Sequence, residues 1–311
     1  MLPLAVIGNV NVDLILGPAP AWPQAGTEIL VDHDELRVGG SAGNTSLAWQ
    51  ALNIPHQISA TVGSDEYGGW LRKSFGQLGQ DWPTCEGSTT LSVGITHPNN
   101  ERTFFTTHGH LPHMSIQDVL ASLDIKALKG GIALLCGSFL TNCLTDDYAH
   151  FFEIAQKNSI QVALDTGWPV GGWTAENRAR ARQWLGACDY ILSSENEVAS
   201  LSGQSGQHDA ARNVKALMKP DATLIVKLGP LGALGLSAED GIVRVPAPSV
   251  EVIDTIGAGD VFNAGFLAAC AQHAPLEHCL ATGVAIASQA ISTAPRHYDF
   301  QLETALRETS P

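Results

Sequence analysis

A chain of 311 residues, 44% of them hydrophobic, is long enough for one large α/β domain or two ordinary ones and needs no disulfide to complete its core. Its formal charge of −14, from 31 acidic against 17 basic residues, repels a polyanion and leaves no basic stripe for a phosphate backbone, which excludes nucleic acid as a partner. No apolar run approaches the roughly 20 residues that span a bilayer, so no membrane partner is expected.

The first eight residues, Met1-Leu2-Pro3-Leu4-Ala5-Val6-Ile7-Gly8, lack the basic start and long apolar stretch of a signal peptide. Cys85, Cys136, Cys143, Cys188, Cys270 and Cys279 include no Cys-x-x-Cys pair, and the eleven histidines show no His-Glu-x-x-His spacing. Free thiols in a reducing compartment and no structural zinc site are the expectation, and with them a cytoplasmic location.

In chain order, residues 4–7 form a short apolar run that predicts a buried strand, followed by Asn11 and Asp13. Residues 14–38 begin Pro-rich and then read Thr27-Glu28-Ile29-Leu30-Val31, which has β character. Helical periods follow at 45–52 and 70–78. Residues 89–107 hold Leu91-Ser92-Val93-Gly94-Ile95 and Arg102-Thr103-Phe104-Phe105-Thr106 on either side of an Asn99-Asn100 turn signal. Both regions read as extra strands outside the main sheet, a small lid of about 14–38 and 89–107, or else as ordinary edge strands and surface loops.

Beyond them, strands at 132–136, 161–164, 190–192 and 224–228 alternate with helices at 146–156, 176–185, 209–218, 261–273 and 276–291. Such alternation predicts a mostly parallel sheet with helices on both faces, one domain with an appendage, and ligands beyond the carboxyl ends of the strands.

The most informative segment is Asp254-Thr255-Ile256-Gly257-Ala258-Gly259-Asp260, which runs into an apolar helix rich in small residues. Small residues at a helix N-terminus expose N–H groups at the positive end of the macrodipole, an anion site. Asp260 then stands where a carboxylate can accept the proton of an attacking hydroxyl, or where it merely caps the helix. A dinucleotide-binding turn should instead follow the first strand, which argues against an oxidoreductase.

Asp254-Thr255-x-Gly257-Ala258-Gly259-Asp260 resembles the C-terminal signature of the ribokinase-like, or PfkB, carbohydrate kinases. Gly39-Gly40-Ser41-Ala42-Gly43-Asn44 looks like their N-terminal Gly-Gly signature. The two lie about as far apart as the family places them, and the resemblance covers essentially the whole chain. It implies a ribokinase-like α/β fold and transfer of the γ-phosphoryl of ATP to a hydroxyl of a sugar or sugar-like molecule, with Mg2+ as cofactor. By resemblance Asp260 is the base, and Gly257, Ala258 and Gly259 are the anion hole. The acceptor pocket takes Asn11, Asp13, Gly39, Gly40, Ser41 and Asn44. The nucleotide takes Ser194, Lys227, Gly229 and Gly232, and Glu197 serves Mg2+. Asp254 and the carbonyl of Ile256 would bind a monovalent cation, K+, with Ala287, Ala290 and Ser292 as later contributors.

Several positions depart from the pattern. The Asn of Asn-x-x-Glu falls on Ser194 unless Asn196 substitutes, and Lys227 stands where several relatives carry Thr. Gly137 and Ser41 replace the Glu and Lys of ribokinases proper, which tells against ribose and for a larger acceptor such as a nucleoside or longer sugar. Taken without the resemblance, Asp13 also reads as a turn residue, and Glu195 and Glu197 as a solvated helix start. His108, His110 and His113 offer a metal, a substrate contact or no role, and Trp168 a place in the cleft or in the scaffold. A non-catalytic sugar- or nucleotide-binding protein is the alternative to a kinase, and a homodimer through the lid strands is an open arrangement.

Overall fold

Leu4-Ala5-Val6-Ile7-Gly8 is buried at every position, as a strand covered on both faces must be. In the computed structural model, which describes residues 1–19, 25–98, 102–203 and 207–294, it is β1 (Leu4–Gly8) of an eight-stranded sheet. The other members are β4 (His56–Ser59), β9 (Ile132–Cys136), β10 (Gln161–Asp165), β11 (Tyr190–Ser194), β12 (Thr223–Lys227), β13 (Ala233–Ser237) and β14 (Gly241–Val245). Their order is β14-β13-β12-β11-β10-β9-β1-β4, parallel from β4 to β12 and antiparallel at β13 and β14.

Alternation sorts the side chains. Leu4, Val6, Ile132 and Leu134 join one core with Phe262, Phe266 and Leu280, while Ala5, Ile7, Ala133 and Leu135 join a second with Phe151, Trp184 and Leu201. From β1 the chain crosses first to β4 on one side and later to β9 on the other. The strand order therefore reverses at β1 and β9, and a crevice opens beyond their carboxyl ends.

A second, four-stranded sheet has the order β3-β2-β7-β8, built from β2 (Asn11–Gly17), β3 (His33–Gly39), β7 (Leu91–Thr96) and β8 (Arg102–Thr106). Two short strands, β5 (Val62–Gly63) and β6 (Thr84–Cys85), pair beside it. The expected strands at 91–95 and 102–106 are present, whereas the turn expected at Asn99 and Asn100 lies outside the described residues.

The strand read at 27–31 is a correction. Those residues are not in a strand, Leu30 is 91% exposed, and β3 starts two residues later. Pairing decided it: β2 matches β3 residue by residue from Asn11 opposite Gly39 to Gly17 opposite His33, and a β-prone segment without a partner strand stays out. The edge strand at 56–59 and the antiparallel pair β13 and β14 escaped the periodicity. None of the six cysteines is in a disulfide. Among the described residues no helix is long and apolar enough to cross a membrane.

Candidate active site

The helix Ala258–Ala271 begins after Gly257, whose left-handed φ of 69° favours glycine and turns the preceding loop onto the helix axis. The Ala258 N–H donates to Thr255 O at 3.2 Å, while the Gly257 and Gly259 N–H groups have no backbone partner among the described residues. Two of the three predicted amides are thus left for an anion at the positive end of the helix.

Asp260 is the third residue of that helix, and no side chain caps the helix start. Its Oδ2 accepts from Asn44 Nδ2 at 2.9 Å, and its carbonyl accepts from Thr45 Oγ1 at 3.2 Å. Both partners sit in the helix Ser41–Ala51, which is locked to the Asp260 helix by Trp49 Nε1 donating to Ala264 O at 2.9 Å. Burial, and then the charge of Asp165, raise the Asp260 pKa, against the pull of Asn44, Lys227 and Ser41.

Among the residues expected to bind the acceptor, Asn11 Nδ2 donates to Asp13 Oδ1 at 2.7 Å and reaches Ser92 Oγ at 3.4 Å. A Cβ on Gly39 would come within 2.2 Å of the Asp13 carboxylate, and one on Gly40 within 2.8 Å of Asn11 Oδ1. The Gly-Gly pair therefore lets β3 and the following helix close over those side chains. Ser41 N–H donates to Asn9 Oδ1 at 3.1 Å. Asn9, which the sequence reading missed, also fills the space beside Gly137, since a Cβ there would lie 2.0 Å from Asn9 Oδ1. Asn9 thus stands where the first atom of a side chain at 137 would lie.

Beyond the loop lies a cavity of about 530 Å3. Lys227, Ala258 and Gly259 line one end, Gly229 and Gly232 one wall, and Val284, Ala287 and Ser288 another. Lys227 Nζ donates to Asp165 Oδ2 at 2.6 Å and to Asn263 Oδ1 at 3.3 Å, and Asn263 Nδ2 donates to the same Asp165 oxygen at 2.6 Å. Burial alone would lower the Lys227 pKa, but Asp165 and Glu197 outweigh it and the net shift is upward. Asp165 and Asn263 were not predicted; a strand-end Asp and an Asn one turn after Asp260 were the available signals.

Glu197 completes a capping box with Ser194 at the helix Glu195–Ser202: its Oε2 accepts from Ser194 N–H at 2.6 Å and Ser194 Oγ at 2.9 Å. It is buried rather than solvated, and burial with Asp165 nearby raises its pKa against Lys227 and Ser194. Three carboxylates, Asp165, Glu197 and Asp260, thus share one ammonium.

Asp254 Oδ1 accepts from Ile256 N–H at 2.8 Å, and the Ile253 and Asp254 N–H groups donate to Ile291 O at 2.8 and 3.2 Å. Asp254 Oδ2 accepts from Arg37 Nη1 at 2.7 Å, an arginine the sequence reading did not single out. Of the later cation residues, Ala287 lines the cavity, Ala290 is buried in the core and Ser292 bonds back to Gln289 O.

The histidines separate. His108 and His113 are exposed, while His110 is buried, accepts from Thr90 N–H at 3.0 Å and is pushed by burial to a pKa of about 4. Trp168 is exposed and meets Trp173 edge-on. Among the described residues no group of three or more His, Cys, Asp or Glu side chains is arranged to hold a metal by itself.

The profile of the pfkB family carbohydrate kinase matches residues 1–295. This chain belongs to that family. Its kinase assignment is echoed by the uncharacterized sugar kinase YegV of Escherichia coli, 26% identical over 290 residues that cover 91% of this chain and 86% of that one. The kinase fold superposes on Arabidopsis thaliana ribokinase complexed with ribose and ATP at a TM-score of 0.80, with 21% identity and 99% of each chain covered. A putative ribokinase II from E. coli in complex with ATP and Mg2+ gives 0.79, with 20% identity and 99% of this chain and all of that one covered. The protein is accordingly a phosphotransferase with a hydroxyl acceptor, and its fold is ribokinase-like.

Proposed function

We propose that this kinase transfers the γ-phosphoryl group of ATP to a hydroxyl of a sugar or sugar-like molecule, with Asp260 as general base. One observation carries the reading. The hydrogen bond from Asn44 ties the Asp260 carboxylate, at a helix start whose Gly257 and Gly259 amides have no backbone partner among the described residues, to the helix that follows Gly39 and Gly40, which pack against Asp13 and Asn11. A hydroxyl held by Asn11 and Asp13 would give its proton to Asp260 as it attacks, and the Gly257 and Gly259 amides would meet the transferred charge. Little covalent work falls to the protein, so positioning dominates.

ATP suits the 530 Å3 cavity, its phosphates toward Lys227 and Gly259 and its base between the 247–252 segment and the helix Leu276–Ile291. The residues present fit Mg2+. Asp165, Glu197 and Asp260 against Lys227 leave local negative charge, and a magnesium ion takes its remaining ligands from phosphate and water. Glu197 and Ser194 would be the residues on hand to hold the ion, directly or through water, and the ion would supply neutralisation of phosphate charge.

The chain acts as a single domain whose four-stranded sheet is the lid, which carries Asp13 and closes over the crevice to exclude water. Exposed Leu36, Phe104 and Phe105 favour a homodimer through that lid; a solution mass of one chain by light scattering would remove the dimer. Unlinked cysteines agree with a cytoplasmic site of action, which fractionation of the producing cells tests.

An ADP-release assay over sugars, including ribose, and nucleosides tests the function. Turnover on at least one is expected, and binding without any turnover would favour the non-catalytic alternative. Gly39→Ala is expected to raise the acceptor KM about tenfold or more, because its Cβ must displace the Asp13 carboxylate. Calorimetric titration with a nonhydrolysable ATP analogue should find nucleotide affinity unchanged; an unaltered acceptor KM would take Asp13 out of the pocket.

A further inference from the structure

The monovalent cation implied by the sequence resemblance does not fit the residues around Asp254. Both carboxylate oxygens are engaged: Oδ2 by Arg37 Nη1 at 2.7 Å and Oδ1 by Ile256 N–H at 2.8 Å. Arg102 Nη2 lies 4.0 Å from Oδ1 and donates to Thr255 Oγ1. An alkali ion arriving at Asp254 would face two guanidinium groups, whose like charge disfavours it most where the site is shielded from water. Arg37 and Asp254 are both largely shielded, with side-chain exposures of 13% and 24%.

Asp254 anchors the anion loop. It ties down the Ile256 amide one residue before Gly257, and the backbone beside it is fixed to the end of the helix Leu276–Ile291. Left unneutralised, its charge would oppose a phosphoryl group at the neighbouring amides. A guanidinium corrects that charge with fixed geometry. Burial works against the Arg37 charge, but the hydrogen bond to Asp254 and the charges of Asp254, Glu35 and Asp13 outweigh it, so the guanidinium is held charged.

Arg37 comes from β3, directly opposite Asp13 in the register with β2, and Arg102 comes from β8 at the far side of the same sheet. We propose that Arg37 takes the place of a monovalent cation. It is a positioning residue that neutralises Asp254 and holds the anion loop, so turnover needs no K+, and the sheet carrying the acceptor residues also completes the phosphoryl site.

The inference rests on the loop receiving the transferred phosphoryl group, and its test is separable from that reading. With KCl replaced by tetramethylammonium chloride at equal ionic strength, the wild-type kcat is expected to stay within about twofold. A loss of about fivefold or more that K+ restores overturns the proposal. Calorimetric titration with β,γ-methylene-ATP and Mg2+ in the two salts asks the same question without turnover: equal affinity is expected, and K+-dependent affinity overturns it even if no acceptor is found. Arg37→Gln is expected to lower kcat about tenfold or more with acceptor KM shifted less than about threefold, and Arg37→Lys to retain the larger share. An undiminished kcat in folded Arg37→Gln overturns the positioning role, and the wild-type salt comparison stands if that variant does not fold.

Discussion

Asp260→Asn is expected to bind a nonhydrolysable ATP analogue as tightly as the wild type and to turn over at least about 10²-fold more slowly. The substitution keeps an oxygen to accept from Asn44 Nδ2, so the joint between the two helices survives while the proposed proton acceptor is lost. The pH dependence follows from the raised pKa of the native carboxylate. Because the folded protein binds that proton more tightly than the unfolded chain does, the group's contribution to stability is complete below the unfolded pKa. It is lost as pH rises through the folded one. At neutral pH the Asn variant should therefore be no less stable than the wild type, with an advantage that shrinks in acid. In the wild type, the acid limb of kcat/KM should fall at a pH above the ordinary aspartate range. Near-normal turnover in the variant would remove Asp260 as base, and a collapsed thermal transition would assign it to the scaffold instead.

Lys227→Met carries the largest expected stability loss, about 3 kcal/mol or more in urea unfolding. The ammonium is the cation that Asp165 and Glu197 both depend on, and the Lys227 and Asp165 side chains are only 14% and 9% exposed. Removing it leaves Asp165 with the Asn263 amide as its remaining side-chain donor and two raised carboxylates with no compensating charge. Adding Asp165→Asn should recover part of the loss, since it removes both the stranded Asp165 charge and its repulsion of Glu197 and Asp260. A single-variant loss below about 1 kcal/mol would mean that water screens the pair. The same substitution should weaken nucleotide binding, because Lys227 lines the cavity beside Gly259.

Much of this was legible in advance because it is written locally. Alternating apolar runs and helical periods are properties of neighbouring residues, and the parallel strands from 132 to 227 fell within a residue or two of their predicted ends. The glycine-led helix start at 257–260 was legible as a candidate anion site because the amides involved belong to its own backbone. The strand misread at 27–31 and found at His33–Gly39 marks the limit, since β character there was real but the partner strand chose another register. Asn9, Asp165 and Asn263 went unnoticed for a related reason: each is an ordinary polar residue until a distant segment is packed against it.

The sequence by itself determined the strand–helix alternation, the two glycine motifs, the candidate base and the family resemblance, all of which depend on spacing along one stretch of chain. Only the tertiary structure decided that Asn44 meets Asp260 across 216 positions and that Lys227 is shared among three acids. It alone decided, too, that Arg37 reaches Asp254 from the second sheet. Charges and hydrogen bonds act over a few ångströms of space, and the chain brings those atoms together only once both sheets have closed around the crevice.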